Sequence, residues 1–288
     1  MNDQAARLRE KVINHEKKTR VIAVASGKGG VGKSSISLNL GLAIQELEKR
    51  VLLMDADLGM ANIDILLGIT PNYNLSHVLK GKCKFEEAVV QGPANISILA
   101  GTTGVDELIN ISSVEVSRLI EAASHMEENY DIILLDIGAG VHYSVTNFIL
   151  GCDEVLVVLT PEPTAVMDAY SLIKILSTKH YMGRTKLLLN QCNSLKEANE
   201  LAERMQRVIK QYLNQNVELL GMIPFDENVR KSVREQNPFL IQYPKSEAAR
   251  SIKELAVKTM NGACENKSHG TKGFIYRIIG AFNRRQIS

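Results

Sequence analysis

Apolar positions along this chain recur as short runs separated by longer amphipathic stretches. Val21–Ala25, Val51–Met54, Ile96–Ala100, Ile132–Leu135, Val155–Leu159, Lys186–Leu189 and Val217–Ile223 read as strands. Such short, mostly uninterrupted runs suit strands buried on both faces. Between most of them lie stretches long enough for several helical turns, such as 112–127, 164–180 and 195–214. Ile36, Leu38, Leu40, Leu42, Ala43 and Leu47 give the segment after the first run an apolar helical character. This alternation predicts an α/β fold, a doubly wound, predominantly parallel sheet with helices on both faces. Ligands in such sheets sit at the carboxyl ends of strands, so the residues closing each run are the place to look for chemistry.

The first run closes on Gly27-Lys28-Gly29-Gly30-Val31-Gly32-Lys33-Ser34, which fits the phosphate-binding loop G-x-x-x-x-G-K-[ST]. Its glycines let the backbone turn tightly so that N–H groups converge on an anion, and the following helix N-terminus adds partial positive charge. Lys33 then reaches the β- and γ-phosphates of ATP, or the β-phosphate of ADP, and Ser34 holds Mg²⁺. Lys28 has no task in that minimal scheme. Its place on the outer lip suggests a charge aimed at a phosphate bound by a second copy of the chain.

The second run ends in Asp55-Ala56-Asp57, and Ile132–Leu135 ends in Asp136 followed by Ile137-Gly138-Ala139-Gly140. Four apolar residues and an aspartate form a Walker B-like arrangement that places Asp136 near the metal, with Asp55 as a further carboxylate there. As a plain structural residue Asp136 would be a helix cap or turn former. Asp57 is either a turn residue or the group that positions the attacking water.

Composition narrows the classes. The 288 residues show ordinary globular proportions, no run approaches the ~18 apolar residues of a membrane span, and no secretory signal opens the chain, which predicts a cytoplasmic protein. Cys83, Cys152, Cys192 and Cys264 form no C-x-x-C pair, which disfavours a zinc site or an iron–sulfur carrier. The net charge of +2 hides an asymmetry. Residues 1–20 hold six Lys/Arg against three acids and residues 265–288 hold five against one, leaving the body at −5. Basic tails on an acidic body predict binding through the tails and make nucleic acid an improbable partner for the body.

With these motifs in place, residues 20–262 resemble the deviant Walker A ATPases of the MinD/ParA group. The resemblance implies an ATP-dependent homodimer in which Lys28 crosses to the partner's nucleotide. It further implies that Lys33 and Ser34 grip phosphate and Mg²⁺, Ser35 contacts the α-phosphate, Asp57 handles the water and Asp136 sits by the metal. Asn190 looks like the adenine reader, although Asn193 is an alternative, and the Pro224-Phe225-Asp226 turn would close over the base. Hydrolysis would be slow and dimer-dependent.

Two tails distinguish branches of that group. Residues 263–272 read as a polar linker, and residues 273–288 as a helix gathering Phe274, Ile275, Ile278, Ile279 and Phe282 on one stripe with Arg277, Arg284 and Arg285 around it. Such a helix can lie in an anionic membrane surface or dock on its own globule. It resembles the family's membrane-targeting helix. Within the opening residues 1–19, Asp3, Gln4, Ala5, Leu8 and Arg9 resemble the activator segment of the FlhG family, the branch concerned with flagellar number and placement. That resemblance implies an FlhF-type GTPase, and flagellar basal-body (C-ring) proteins, as partners. A division-site MinD and a DNA-binding ParA partition ATPase are the alternatives.

Overall fold

The computed structural model describes residues 19–57, 62–101, 112–262 and 270–283, with Ser113, Phe282 and Asn283 described in their main chain only. β1 (Arg20–Ser26) leads into α1 (Lys33–Gln45), followed by β2 (Val51–Ala56), α2 (Ile63–Leu67), α3 (Leu75–Leu79) and α4 (Phe85–Ala88). Next come β3 (Val89–Gln91), a 3₁₀ turn (Pro93–Asn95), β4 (Ser97–Leu99), α5 (Ser113–Asn129), β5 (Ile132–Ala139) and α6 (Tyr143–Gly151). The chain continues through β6 (Glu154–Leu159), α7 (Pro163–Thr178), β7 (Arg184–Cys192), α8 (Leu195–Leu213) and β8 (Glu218–Pro224). α9 (Glu227–Arg234), α10 (Phe239–Gln242), α11 (Glu247–Asn261) and α12 (Gly270–Asn283) complete it.

The eight strands run in the order β3-β4-β2-β5-β1-β6-β7-β8. Only β3 is antiparallel to its neighbour. All seven runs expected to be strands are strands; β3, a three-residue edge, carries too little pattern to be read from sequence. The uninterrupted apolar runs have a direct explanation. Val21, Ala23 and Ala25 enter one core with α5, α6, α7 and α8, while Ile22 and Val24 enter the other with α1, α10 and α11. Both faces of β1 are thereby dry.

α1 is buried nearly all round because it is packed between the sheet and α10–α11. Of its buried polar side chains, Asn39 is held at both ends: Oδ1 accepts from the Leu240 N–H (2.9 Å) and Nδ2 donates to the Ser35 carbonyl (2.8 Å). Leu47 lies beyond the helix end and is partly exposed.

Two expectations change in detail. Asp55, Asp136 and Asn190 do not follow their strands but lie within the last residues of β2, β5 and β7, because ladder pairing continues past each apolar run. The C-terminal helix is already helical at Gly270, the first described residue there, three residues before the expected boundary at 273. Its stripe is not free: Phe274, Ile275 and Ile278 are buried in the same core as α5 and α6, with Ile279 packed beside them. The apolar face expected to meet lipid therefore lies on the body in this structure, since burial there removes the same surface from water. Residues 263–269, the side chain of Phe282, Arg284 and Arg285 lie outside the described residues, as do Asp3, Gln4, Ala5, Leu8 and Arg9.

Candidate functional site

The loop between β1 and α1 is shaped by positions that tolerate no side chain. Gly30 and Gly32 have φ of +79° and +88°, where residues with a Cβ are strained. A Cβ on Gly27 would stand 2.2 Å from the Asp168 carbonyl oxygen, so α7 presses directly on the loop. Ser26 Oγ donates to the Lys28 carbonyl (2.9 Å) and closes the turn from inside.

The two lysines occupy different environments. Lys33 is 7% exposed and its ammonium lies 2.8 Å from Oδ1 of Asp136, which is fully buried. Ser37 Oγ donates to the same oxygen (2.9 Å), and Ser34 Oγ accepts from Lys33 at 3.4 Å. Lys28 is 38% exposed, donating to Glu162 Oε2 at 2.6 Å and Thr164 Oγ1 at 3.0 Å. Glu162 is the N-cap of α7, so Lys28 stands at the positive end of a helix dipole and depends on that carboxylate to offset it.

Asp55 and Asp136 face each other in register across β2 and β5. Asp55 Oδ1 accepts from the Asp57 N–H (3.0 Å) and Oδ2 from the N–H groups of Asn62 (2.8 Å) and Ile63 (3.2 Å). It thus fixes the backbone leaving β2 and the start of α2. Burial, with a smaller contribution from the Asp136 charge, pushes its carboxyl up to about 6. Asp57 accepts from Asn62 Nδ2 (3.1 Å), and its carboxylate approaches β5 where Gly138 leaves space. Asp136 Oδ2 is buried with no hydrogen-bond partner. That orphaned acceptor, on a carboxylate that Lys33 links to the Ser34 hydroxyl, fits a divalent cation or its water shell.

Next to the loop lies a cleft of about 410 Å³ lined by Gly32, Ser35, Asn190, Pro224, Phe225 and Arg230 among others. Asn190, buried in its wall, donates to the Val31 carbonyl (2.8 Å), tying β7 to the phosphate loop. Asn193 instead faces solvent and is held by Glu197. Phe225 is exposed over the cleft with the Arg230 guanidinium 5.0 Å from its ring. Asp226 is committed to capping: Oδ1 accepts from the Asn228 N–H and Oδ2 from the Ala248 N–H. The cleft combines an apolar wall, an amide and an aromatic ring, groups suited to a planar base, and Ser35 joins it to the loop.

The expected residues therefore converge: Lys33, Ser34, Asp55, Asp57 and Asp136 meet at the strand ends, and Ser35, Asn190, Pro224 and Phe225 line the adjoining cleft. Ser37, Glu162, Thr164, Asp168 and Arg230 were not foreseen. Ser37 had a signal, being four residues from Lys33 and so on one helix face. The others arrive through long-range packing and leave no trace in local pattern.

A family model described as ParA, NUBPL iron-transfer P-loop NTPase, matches residues 17–260. The antiactivator FleN of Pseudomonas aeruginosa is 39% identical over 239 residues, covering 83% of this chain and 85% of that protein. The flagellum site-determining protein YlxH of Helicobacter pylori is 31% identical over 292 residues, covering 97% and 99%. Among solved structures, septum site-determining protein MinD from Pyrococcus horikoshii, complexed with Mg-ADP, matches with a TM-score of 0.68 at 29% identity, covering 87% of this chain and 99% of that one.

Proposed function

The chain belongs to the ParA/MinD family of P-loop NTPases, and from that premise we propose that it is an ATP-dimerised, membrane-associating ATPase switch regulating flagellar number, placement and assembly. The observation that carries this reading is the contrast between its two loop lysines. Lys33 is sealed against Asp136 inside the site, whereas Lys28 is exposed on the lip and held by an ion pair of the kind that contributes about 0–1 kcal/mol. A second protomer's phosphates can outcompete such a pair, so ATP completes its site only in a dimer.

Within each site Lys33 neutralises phosphate charge, the loop N–H groups hold the phosphate oxygens and Asp57 orients the attacking water. Ser34 and Asp136 would hold Mg²⁺, which when bound supplies further neutralisation of phosphate charge. Asn190 and Phe225 hold the base. Because alignment depends on a partner's Lys28, hydrolysis is slow and the dimer reports nucleotide state.

The flagellar assignment draws on the names FleN and YlxH, and the membrane assignment on α12. Undocked from α5 and α6, α12 would offer Phe274, Ile275 and Ile278 to an anionic surface, and a dimer would offer two such helices. The opening residues, with Gln4 central, stimulate an FlhF-type GTPase. Size-exclusion chromatography with ADP and ATP, each with and without lipid vesicles, tests the core of this reading. Absence of an ATP-dependent dimer for both the natural chain and Asp57→Ala would remove it. Deleting residues 2–9 tests the partner: unchanged GTPase stimulation by the truncated chain would defeat that part alone.

A further inference from the structure

Asn147, Lys179, Tyr181 and Arg277 line an open cleft of about 730 Å³ between α6, the turn between α7 and β7, and α12. It shares no lining residue with the nucleotide cleft. Its polar content is one-sided. Asn147 is 1% exposed, and while its Oδ1 accepts from Lys179 Nζ (3.2 Å), its Nδ2 has no partner. The Tyr181 hydroxyl and Arg277 Nε are likewise buried without partners. Lys179 reaches only neutral groups, Thr146 Oγ1 (3.1 Å), Asn147 Oδ1 and the Tyr143 ring (4.8 Å).

Among the described lining residues there is no carboxylate. Two carboxylates act on Tyr181 from behind: Glu154, which pairs with Arg184 (2.9 Å) and Lys186 (3.3 Å), and Asp153, which is turned to Arg277 (3.3 Å) and to the Val21 N–H (3.0 Å). Desolvation holds the Lys179 ammonium below its ordinary value, and burial pushes the Tyr181 hydroxyl well above its own, so the latter stays a donor. Buried donors without acceptors are rare in folded proteins, and three of them beside a cation call for an anion.

We propose that this cleft is a second ligand site, taking a phosphate monoester or diester. Phosphate supplies acceptors to Asn147 Nδ2, the Tyr181 hydroxyl, Lys179 Nζ and Arg277 at once. The Tyr143 and Tyr276 rings flank room for the organic part of an ester, in a volume ordinary for small-molecule sites. Arg277 and Tyr276 belong to α12 while the remaining groups belong to the body, so the ligand ties the C-terminal helix to the domain. A soluble phosphate ester and a phospholipid headgroup share this chemistry. The inference does not rest on the flagellar reading.

The test is calorimetric titration of the full chain with sn-glycerol 3-phosphate, the phosphate loop being filled beforehand with Mg-ADP. A parallel arm uses co-sedimentation with phosphatidylglycerol vesicles against phosphatidylcholine vesicles. Lys179→Gln serves as the site variant, with Asn147→Ser as a second, and unchanged ADP affinity certifies their folding. Saturable binding of the soluble ester, weakened at least tenfold by Lys179→Gln, supports the site with a soluble ligand. Binding to phosphatidylglycerol vesicles alone, weakened in the same way, supports it with a lipid headgroup. Binding that ADP displaces, binding equal in the natural chain and both variants, or no binding in either arm would overturn it.

Discussion

The phosphate loop and α12 are both fastened to the same sheet, yet by opposite kinds of contact. The loop is fixed by directional constraints: two left-handed glycines, Gly27 pressed on the Asp168 backbone, and a buried Lys33–Asp136 pair. Each alternative conformation there leaves a charge or a backbone group uncompensated. α12 is held mainly by Phe274, Ile275 and Ile278, with a few polar ties such as Thr271 Oγ1 to the Ala123 carbonyl (2.6 Å) and Arg277 to the Gly151 carbonyl. Hydrophobic burial is non-directional, so another apolar medium satisfies that stripe equally well. The comparison teaches that the candidate site is fixed by directional contacts, whereas the tail is held mainly by contacts that another apolar surface could replace.

The sharpest way to break this contrast is Lys33→Ala. Removing one partner of a buried pair leaves Asp136 uncompensated, so we expect a loss of about 3–5 kcal/mol in a urea unfolding series. ADP affinity should fall about a hundredfold, roughly 2.7 kcal/mol. A variant as stable as the natural chain would mean that the loop is not held by this pair.

Asp55 gives the next largest effect, through pH. Its folded-state value of about 6 exceeds the ordinary 3.8, so the folded chain binds this proton more tightly than the unfolded one. Its contribution to stability is therefore full below pH 3.8 and is lost as pH rises through about 6. The difference is about 3 kcal/mol at 1.36 kcal/mol per pH unit. Measured without nucleotide, the natural chain should lose nearly that much relative to Asp55→Asn between pH 3 and pH 7. A pH-independent difference would show that Asp55 ionises freely in the fold.

On the other side of the comparison, a Cβ at Gly151 would lie 2.8 Å from both Ile278 Cγ1 and Phe274 Cδ2. Gly151→Val should destabilise by about 1–3 kcal/mol through overpacking while leaving ADP affinity within twofold. Association with anionic vesicles should rise, since the stripe is released. Weaker vesicle binding would mean that the helix acts only as part of the core. The smallest effect on stability belongs to Lys28→Ala, under about 1 kcal/mol for an exposed pair. Nucleotide binding should largely persist, yet the ATP dimer should vanish from size-exclusion profiles; a normal dimer would end the assignment of that lysine.

Legibility followed the same divide. Strands buried on both faces announce themselves as unbroken apolar runs, and a phosphate loop must use particular residues in a particular order, so β1, the loop and α1 were readable directly. Asp136 was readable as a carboxylate at a strand end, but its pairing with Lys33 and Ser37 was not, because the loop and β5 are about a hundred residues apart in the chain. The stripe of α12 was equally plain. Which surface would cover it was not, since periodicity specifies an apolar face and not its partner.

By itself the sequence determined the α/β class, the phosphate loop with its extra lysine, the acidic strand ends and an amphipathic C-terminal helix. All of these follow from local stereochemistry or from hydrophobic period. Tertiary structure alone decided that Glu162 and Thr164 hold Lys28, that Asn190 rather than Asn193 lines the cleft, and that α12 rests on Gly151. Those outcomes depend on which distant groups the sheet order brings within a few ångströms, and short-range pattern carries no record of that distance.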